Sequence, residues 1–111
     1  MALNIEQRPD CTIISLVGQL TGSVTAPIHD QILTQIQYSH PRLILDLSAV
    51  TYLSSAALRL LLSLYRVIDE LNGVMVLVGL SDEINDILSI TGFSDLFRSY
   101  KDNATALASL R

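Results

Sequence analysis

The chain has 111 residues, half of them hydrophobic, which is enough for one domain with its own core and too few for two. Its 11 acidic and 7 basic residues give a net charge of −4, and the absence of a Lys/Arg cluster argues against nucleic acid as a partner. One cysteine excludes an internal disulfide, and no apolar stretch approaches the ~20 residues of a membrane-spanning helix. The first residues lack the basic start and apolar run of a signal peptide, so we expect a cytoplasmic protein without membrane insertion.

The first part of the chain predicts two strands followed by a helix. Residues 3–8 alternate weakly and predict an edge strand, and the β-branched run 12–17 predicts a buried strand. The segment 18–25, rich in Gly, Ser and Thr, predicts a loop whose last residue, Thr25, caps the helix. The helix is expected to stop before His40-Pro41, because the residue before a proline avoids the α region.

The middle of the chain predicts two buried strands around the longest helix. Residues 43–47 form the nearly continuous apolar run of a strand covered on both faces, and residues 48–53 are expected to form a short loop. The helix is predicted from about Ser55 to Leu71, and Asn72-Gly73 ends it, with the glycine in the left-handed conformation. The next buried strand is predicted at residues 74–78.

The last part of the chain predicts two helices and an edge strand. Ser81 is expected to cap a short helix with two acidic residues in its first turn, and Gly92 to stop it. Residues 97–100 predict a short edge strand, and Asn103 is expected to cap a final helix. Because strands alternate with helices after the first two strands, and each β-α-β crossover implies parallel pairing, we expect one α/β domain with a mixed sheet.

Residues for catalysis or metal binding are sparse. Two histidines and one cysteine provide no credible set of four zinc ligands, and no nucleotide-binding glycine motif or GxSxG nucleophile turn occurs. We therefore expect no catalytic residue, metal or cofactor. The segment 18–23 is a weak candidate for a phosphate cradle and is better explained as a connection. Asp46, at the end of a predicted strand, is better explained as an acceptor of loop N–H bonds than as a site residue.

One segment, Asp46 to Arg59, stands out because it joins a buried strand to the longest helix and has two serines where that helix begins. Serine is a preferred helix cap, so capping alone explains one of them. A helix start also has unpaired N–H groups and a positive dipole end, so a phosphate on Ser54 or Ser55 would be tolerated by the domain itself. The same phosphate would disturb a partner docked there, through repulsion and desolvation. The segment is thus a candidate for a phosphorylation-controlled switch.

The same segment resembles the signature of the STAS domain family, the bacterial anti-sigma factor antagonists. The family pattern is a strand ending in Asp or Asn-Leu, a short loop and then Asp-Ser-Ser-Gly-Leu, which aligns without gaps with Leu53-Ser54-Ser55-Ala56-Ala57-Leu58-Arg59. Leu16-Val17-Gly18-Gln19-Leu20 looks like the apolar-Gly-Glu-Leu motif before the first helix of the family. The segments 72–79 and 91–97 look like the central Gly-strand and the Gly-Leu/Phe segment. The resemblance covers nearly the whole chain.

The resemblance implies a single STAS domain over residues 1–111, with a mixed four- to five-stranded sheet and about four helices mainly on one face. It implies binding to an anti-sigma factor that is also a serine kinase, with release by phosphorylation at the start of the second helix and recovery by a serine phosphatase. The partner-binding surface implied in this way comprises Thr21, Leu53, Ser54, Ser55, Ala56, Ala57 and Arg59.

The chain departs from the family pattern at the acceptor itself. The usual Asp falls on Ser54, the first Ser on Ser55, the usual phosphate acceptor on Ala56 and the Gly on Ala57. The Asp that commonly follows the Gly-Glu-Leu motif is Thr21 here. Either Ser54 or Ser55 is then the acceptor, or the domain is not switched by phosphorylation.

Two other functions are compatible with the sequence. One is a constitutive, non-phosphorylated STAS interaction or scaffold module in a signalling or transport-associated assembly, whose binding would not depend on the two serines. The other is a small-molecule or nucleotide binder that uses the segment 18–23 beside Ser54. An enzyme is the least favoured function, because reactive groups are lacking.

Overall fold

Two strands open the chain in the computed structural model, which describes residues 2–36 and 40–110, and helices and strands alternate after them. In these residues the strands and helices are β1 (Ala2–Gln7), β2 (Thr12–Leu20), α1 (Gly22–Gln35), β3 (Arg42–Leu53), α2 (Ser55–Glu70), β4 (Val74–Val78), α3 (Asp82–Ile90), β5 (Arg98–Tyr100) and α4 (Asn103–Ser109). A short 3-10 helix, Phe93–Asp95, lies between α3 and β5. No helix in this described part is both long and apolar enough to cross a membrane.

The five strands form one mixed sheet in the order β1-β2-β3-β4-β5. β1 pairs with β2 antiparallel, as the short Pro9-Asp10 connection allows, and every later neighbour pairs in parallel across a helix. The predicted mixed α/β sheet is therefore confirmed. Because β2, β3 and β4 are parallel, their carboxyl ends meet at one edge of the sheet, where α1, α2 and α3 begin.

Helices α1, α2 and α3 pack on one face of the sheet and α4 packs on the other. The larger core lies under the first three helices and joins strand residues such as Ile14 and Leu45 to Ile32, Leu61 and Leu88. The smaller core, under α4, consists of Cys11, Ile13, Ile44, Val76, Val78, Ala106 and Leu110. The expected packing of helices mainly on one face is confirmed. Burial in the smaller core raises the pKa of the Cys11 thiol.

The two predicted loops at residues 18–25 and 48–53 are wrong, because residues 18–20 and 48–53 belong to the paired strands β2 and β3, and residues 22–25 begin α1. β3 runs on to Leu53, and Leu53 lies opposite Leu20 after two register shifts at which β3 has one extra residue relative to β2. Gly18, beside the second shift, has a φ of 97°. Polar residues are tolerated here since α4 covers only the amino-terminal half of the face opposite α1–α3. Helix α1 consequently begins at Gly22 with Thr21 as its cap residue, and Thr25 lies within the helix rather than capping it.

Two predicted helix ends shift by one residue, and a third lies where it was expected. Asn72, rather than Gly73, has the left-handed conformation after α2, with a φ of 59°. Gly73 is needed for another reason, because a Cβ there would lie 2.2 Å from the backbone oxygen of Pro41. The cap of α4 is Asp102, one residue before the predicted Asn103. The end of α1 at Gln35 agrees with a stop before His40, while residues 37–39 lie outside the described residues.

Candidate functional site

The candidate site forms where two neighbouring parallel strands each turn into a helix. The backbone N–H of Ser54 donates to the carbonyl of Leu20 over 3.0 Å, and the Ser54 hydroxyl donates to the same carbonyl over 2.8 Å. Leu20 is followed by Thr21 and α1, and Ser54 is followed by α2. The starts of the two helices are thus held side by side, and a Cβ on Gly22 would lie 3.8 Å from the Cβ of Ala56.

Ser54 is the N-cap of α2, and its hydroxyl is fully engaged. The Ser54 Oγ accepts a hydrogen bond from the backbone N–H of Ala57 over 3.1 Å while it donates to Leu20. The backbone of Ser54 is extended, with φ −76° and ψ 170°, which is the normal conformation of a cap residue. Capping by Ser54, one of the alternatives that the sequence left open, is therefore observed.

Ser55 differs from Ser54 in both exposure and bonding. It is the first residue of α2, and its side chain is exposed, whereas that of Ser54 is half-buried. Within the part of the chain that the structure describes, the Ser55 hydroxyl forms no hydrogen bond. A substituent on Ser55 can therefore extend into solvent without breaking a contact of the fold.

The other predicted surface residues divide into exposed and buried ones. Arg59 is exposed, and Thr21 and Ala56 are half-buried at the helix starts. Leu53 and Ala57 belong to the core under α1–α3. Their buried side chains support the site from below, and a direct contact of either residue with a partner stays a prediction.

The electrostatics of the site favour a negative charge. Neither α1 nor α2 has an acidic residue in its first turn, so two adjacent helix starts present positive dipole ends without a carboxylate of their own. Arg59 follows Ser55 by four residues, the spacing of side chains that are neighbours on a helix surface. An anion on Ser55 would therefore meet the end of α2 and one guanidinium on the same helix.

A groove between α1 and α2 leads away from these helix starts. Its volume is about 280 Å³, and Ala56, Arg59 and Ser63 of α2 line one side of it. His29 of α1 lines the other side, and its Nε2 lies 2.8 Å from the Ser63 hydroxyl. This hydrogen bond ties α1 to α2, so it helps to maintain the relative position of the two helix starts.

Sequence reasoning missed two exposed apolar residues next to the site. Tyr52 is 50% exposed and Val17 is 41% exposed, and both lie near the carboxyl ends of β3 and β2. Because the sequence predicts a loop at residues 48–53, it does not place Tyr52 on the sheet, where the structure has it. The exposure of Val17 could have been predicted, because successive side chains of a strand point to opposite faces and Val17 follows buried Leu16.

Asp46 and the segment 18–23 have structural roles. The Asp46 carboxylate accepts from the backbone N–H of Ser48 (2.9 Å), from the Ser48 hydroxyl (2.6 Å) and from the Asn103 amide (3.1 Å). It thereby joins β3 to the start of α4. The segment 18–23 is the end of β2 and the start of α1. Among residues 2–36 and 40–110, no group of three or more His, Cys, Asp or Glu side chains could hold a metal ion.

The fold and the signature at the start of α2 define a class of protein. The sequence matches the STAS domain family over residues 2–106, and the chain belongs to that family. The resemblance seen in the sequence is therefore confirmed. No curated protein matches the chain significantly.

Solved structures of similar fold include three anti-sigma factor antagonists. An anti-sigma-factor antagonist (STAS) domain protein from Planctomyces limnophilus has a TM-score of 0.89 at 21% identity, over 98% of this chain and 97% of its own. An anti-sigma factor antagonist from Mycobacterium paratuberculosis has a TM-score of 0.87 at 24% identity, over 99% and 93%. SpoIIAA, a Bacillus cell fate determinant solved in the phosphorylated form, has a TM-score of 0.79 at 20% identity, over 99% and 100%. These likenesses establish the STAS fold.

Proposed function

We propose that this STAS domain is an anti-sigma factor antagonist that is switched by reversible phosphorylation of Ser55. Its partners are an anti-sigma factor with serine kinase activity and a serine phosphatase, and it acts in the cytoplasm without catalysing a reaction itself. The observation that carries the proposal is the Ser55 hydroxyl, which is exposed and forms no hydrogen bond to residues 2–36 or 40–110, at a helix start that has no carboxylate of its own.

Hydrogen bonding favours Ser55 over Ser54 as the phosphate acceptor. Phosphorylation replaces the hydroxyl hydrogen, so a phosphorylated Ser54 could no longer donate to Leu20 through its Oγ. The carbonyl of Leu20 would lose a bond, and the junction between β2 and α2 would be disturbed. Ser55 has no such bond to lose within the described residues, so its modification leaves the fold intact.

Charge supports a phosphate at the start of α2, because the free domain tolerates a negative charge there. A phosphate carries about −1.5 to −2 charges near neutral pH, and anions are favoured at the positive end of a helix. In a complex the partner would cover Ser55, and the phosphate would then lose water and face the groups of the partner. Phosphorylation therefore changes the complex far more than the domain, which is the property that a switch requires.

The partner surface follows from the exposed groups around Ser55. Arg59 and the polar edge at Thr21 flank it on α2 and α1, and Tyr52 contributes an apolar contact from β3. Exposed aromatic and arginine side chains are the residue types that most often dominate protein interfaces. Two proteins of similar fold are anti-sigma factor antagonists, and a third, SpoIIAA, was solved in a phosphorylated form. These likenesses support a partner of the anti-sigma type.

The proposal is tested by phosphorylation and mapping of the full chain. The domain is incubated with ATP and each candidate anti-sigma factor/serine kinase, and the modified residue is located by fragmentation of the peptide that ends at Arg59. The increment is expected on Ser55 and should be lost in Ser55→Ala. Ser54→Asn is the matched control, because an Asn cap can still accept from Ala57 and donate to Leu20 but has no hydroxyl. A phosphate on Ser54 alone contradicts the choice of acceptor.

A second candidate function is a constitutive STAS interaction module. Ala56 favours it, because this residue stands where family members have their usual acceptor. A constitutive module would bind its partner with Ser55→Asp as tightly as with Ser55, and no kinase would modify the chain. Binding assays with Ser55→Asp and Ser55→Ala thus separate the two candidates.

A further inference from the structure

The acidic excess of the whole chain is confined to α3 and the 3-10 helix that follows it. Residues 81–97 contain four of the 11 acidic residues and none of the 7 basic ones, so the remaining acidic and basic residues balance at seven each. The acidic residues are Asp82, Glu83, Asp86 and Asp95, and all are exposed. Within residues 2–36 and 40–110, none of them forms an ion pair.

An exposed isoleucine lies in the same face of α3. At 100° per residue, Asp82, Asp86 and Ile90 fall within about 80° of one another around the helix axis, opposite buried Ile84 and Leu88. Ile90 is 85% exposed, while the other large exposed hydrophobic side chains of the described chain are 39–50% exposed. One of these, Leu96, follows the 3-10 helix of the same unit.

Stability does not account for Ile90. The side chain buries almost no area, and a β-branched residue has a lower helix propensity than Ala, Leu or Lys. An apolar side chain within a negatively charged surface is instead the pattern of an anchor surrounded by steering charges.

We propose that the outer face of α3, with Asp82, Glu83, Asp86 and Ile90, is a second docking surface for a basic amphipathic segment of another protein. Charge decides the occupant. A second copy of this chain, docked symmetrically, would bring two such acidic faces together, and nucleic acid or an anionic membrane would also be repelled. A cationic segment with an apolar side gains both the charge attraction and a contact for Ile90.

The dimensions of the surface indicate a transient contact. Nine residues make α3 about 13 Å long, which matches two to three turns of a partner helix and is below the size of a stable interface. Most of the attraction is then electrostatic and is screened by salt. The surface is built from residues other than the two serines, so it stands independently of the proposed phosphorylation.

The test uses the full chain and a synthetic amphipathic helical peptide made of Lys and Leu. We expect saturable binding by calorimetry that weakens with added salt and is stronger than that of a scrambled peptide of the same composition. Ile90→Ser should weaken binding roughly tenfold, while Val17→Ser, which removes an exposed β-branched residue on β2, should leave it unchanged. Glu83→Gln with Asp86→Asn should weaken it, while Asp69→Asn with Glu70→Gln, an equal charge change on α2, should not.

Three outcomes would overturn the assignment. The first is that the peptide does not bind saturably. The second is that the α3 variants and their matched controls lose the same amount of peptide affinity. The third is concentration-dependent self-association that Ile90→Ser abolishes, which would make a second copy the occupant. Ser55→Asp should not alter peptide binding, so this proposal and the phosphorylation proposal can fail separately.

Discussion

Helices α2 and α3 begin in the same way but differ in charge. Ser54 caps α2 by accepting from the backbone N–H of Ala57 over 3.1 Å, and Ser81 caps α3 by accepting from that of Ile84 over 3.2 Å. The first turn of α3 contains Asp82 and Glu83, whereas the first turn of α2 contains no acidic residue. The positive end of α3 is thus neutralised by its own carboxylates, and that of α2 is left available.

The difference shows how one fold can have two surfaces with opposite preferences. A phosphate at the start of α3 would be repelled by two carboxylates, while a phosphate on Ser55 would be attracted by the helix start and by Arg59. The α3 face in turn suits a cationic partner. Capping residues therefore establish where a helix begins, and the charges beside the cap decide what can bind there.

The largest expected effect comes from giving α2 the charge that α3 already has. Ser55→Asp places a carboxylate where α3 has Asp82. It should weaken binding of the proposed anti-sigma partner by about 2–4 kcal/mol, roughly 30- to 1,000-fold in Kd, because the charge would be desolvated in the complex. Calorimetric titration measures this. Ala104→Asp, an equal charge in the first turn of α4 on the opposite face, is the matched control and should bind normally.

Removal of the two caps should show that Ser54 does more than Ser81. Ser81→Ala should lower the free energy of unfolding by about 1 kcal/mol, the usual contribution of a cap. Ser54→Ala should lower it by about 2 kcal/mol, because the hydrogen bond to the carbonyl of Leu20 is lost as well. Urea denaturation of both variants provides the comparison, and equal losses would mean that the bond to Leu20 contributes nothing.

Charge changes at the two helix starts should shift stability in opposite directions. Ser55→Asp should raise the free energy of unfolding by about 0.3–1 kcal/mol, since it neutralises the dipole end of α2, and Asp82→Asn should lower it by a similar amount. Both shifts should shrink in high salt. Asp86→Asn, beyond the first turn of α3, serves as a control with little expected effect, and a shift as large as that of Asp82→Asn would argue against the dipole.

The smallest expected effect concerns α4, in which one residue serves as both cap and charge. The backbone N–H of Thr105 donates to the Asp102 carboxylate over 2.8 Å. This hydrogen bond, with a further one from the Thr105 side chain, lowers the pKa of Asp102 below its ordinary value. A lowered folded-state pKa adds stability that is present above the ordinary value of 3.8 and is lost as the pH falls through the lowered folded-state value. Asp102→Asn should flatten this part of the stability profile, which thermal unfolding across acidic pH measures. An unchanged profile would contradict the assignment.

Much of the fold could be predicted because its signals are local. The apolar run at residues 74–78 and the helix start at Ser55 lie where expected, and Ser81 caps α3 as predicted. The predictions failed where pairing between distant segments outweighed composition. Residues 48–53 have the composition of a loop but form a strand, because they pair with the end of β2. Their polar side chains are tolerated because α4 does not cover this part of the sheet.

The candidate site was predictable in place but not in detail. The serines at the start of α2 and the missing carboxylate of its first turn can be read from neighbouring residues, since capping and the helix dipole act within one turn. The exposure of Tyr52 and the burial of Leu53 depend on the sheet and on the helices packed against it. Local patterns therefore predict where the candidate site lies, and tertiary packing determines which of its residues are exposed.

The sequence alone determined most of the secondary structure, the family and the two serines that are candidates for phosphorylation. Only the tertiary structure separated these serines, because the Ser54 hydroxyl bonds to Leu20, 34 residues away in the chain. Periodicity and capping act over a few residues and are visible in any short window, whereas strand register and burial arise when distant segments meet. For that reason the tertiary structure, and not the pattern of residues, leaves Ser55 as the hydroxyl that can be modified without loss to the fold.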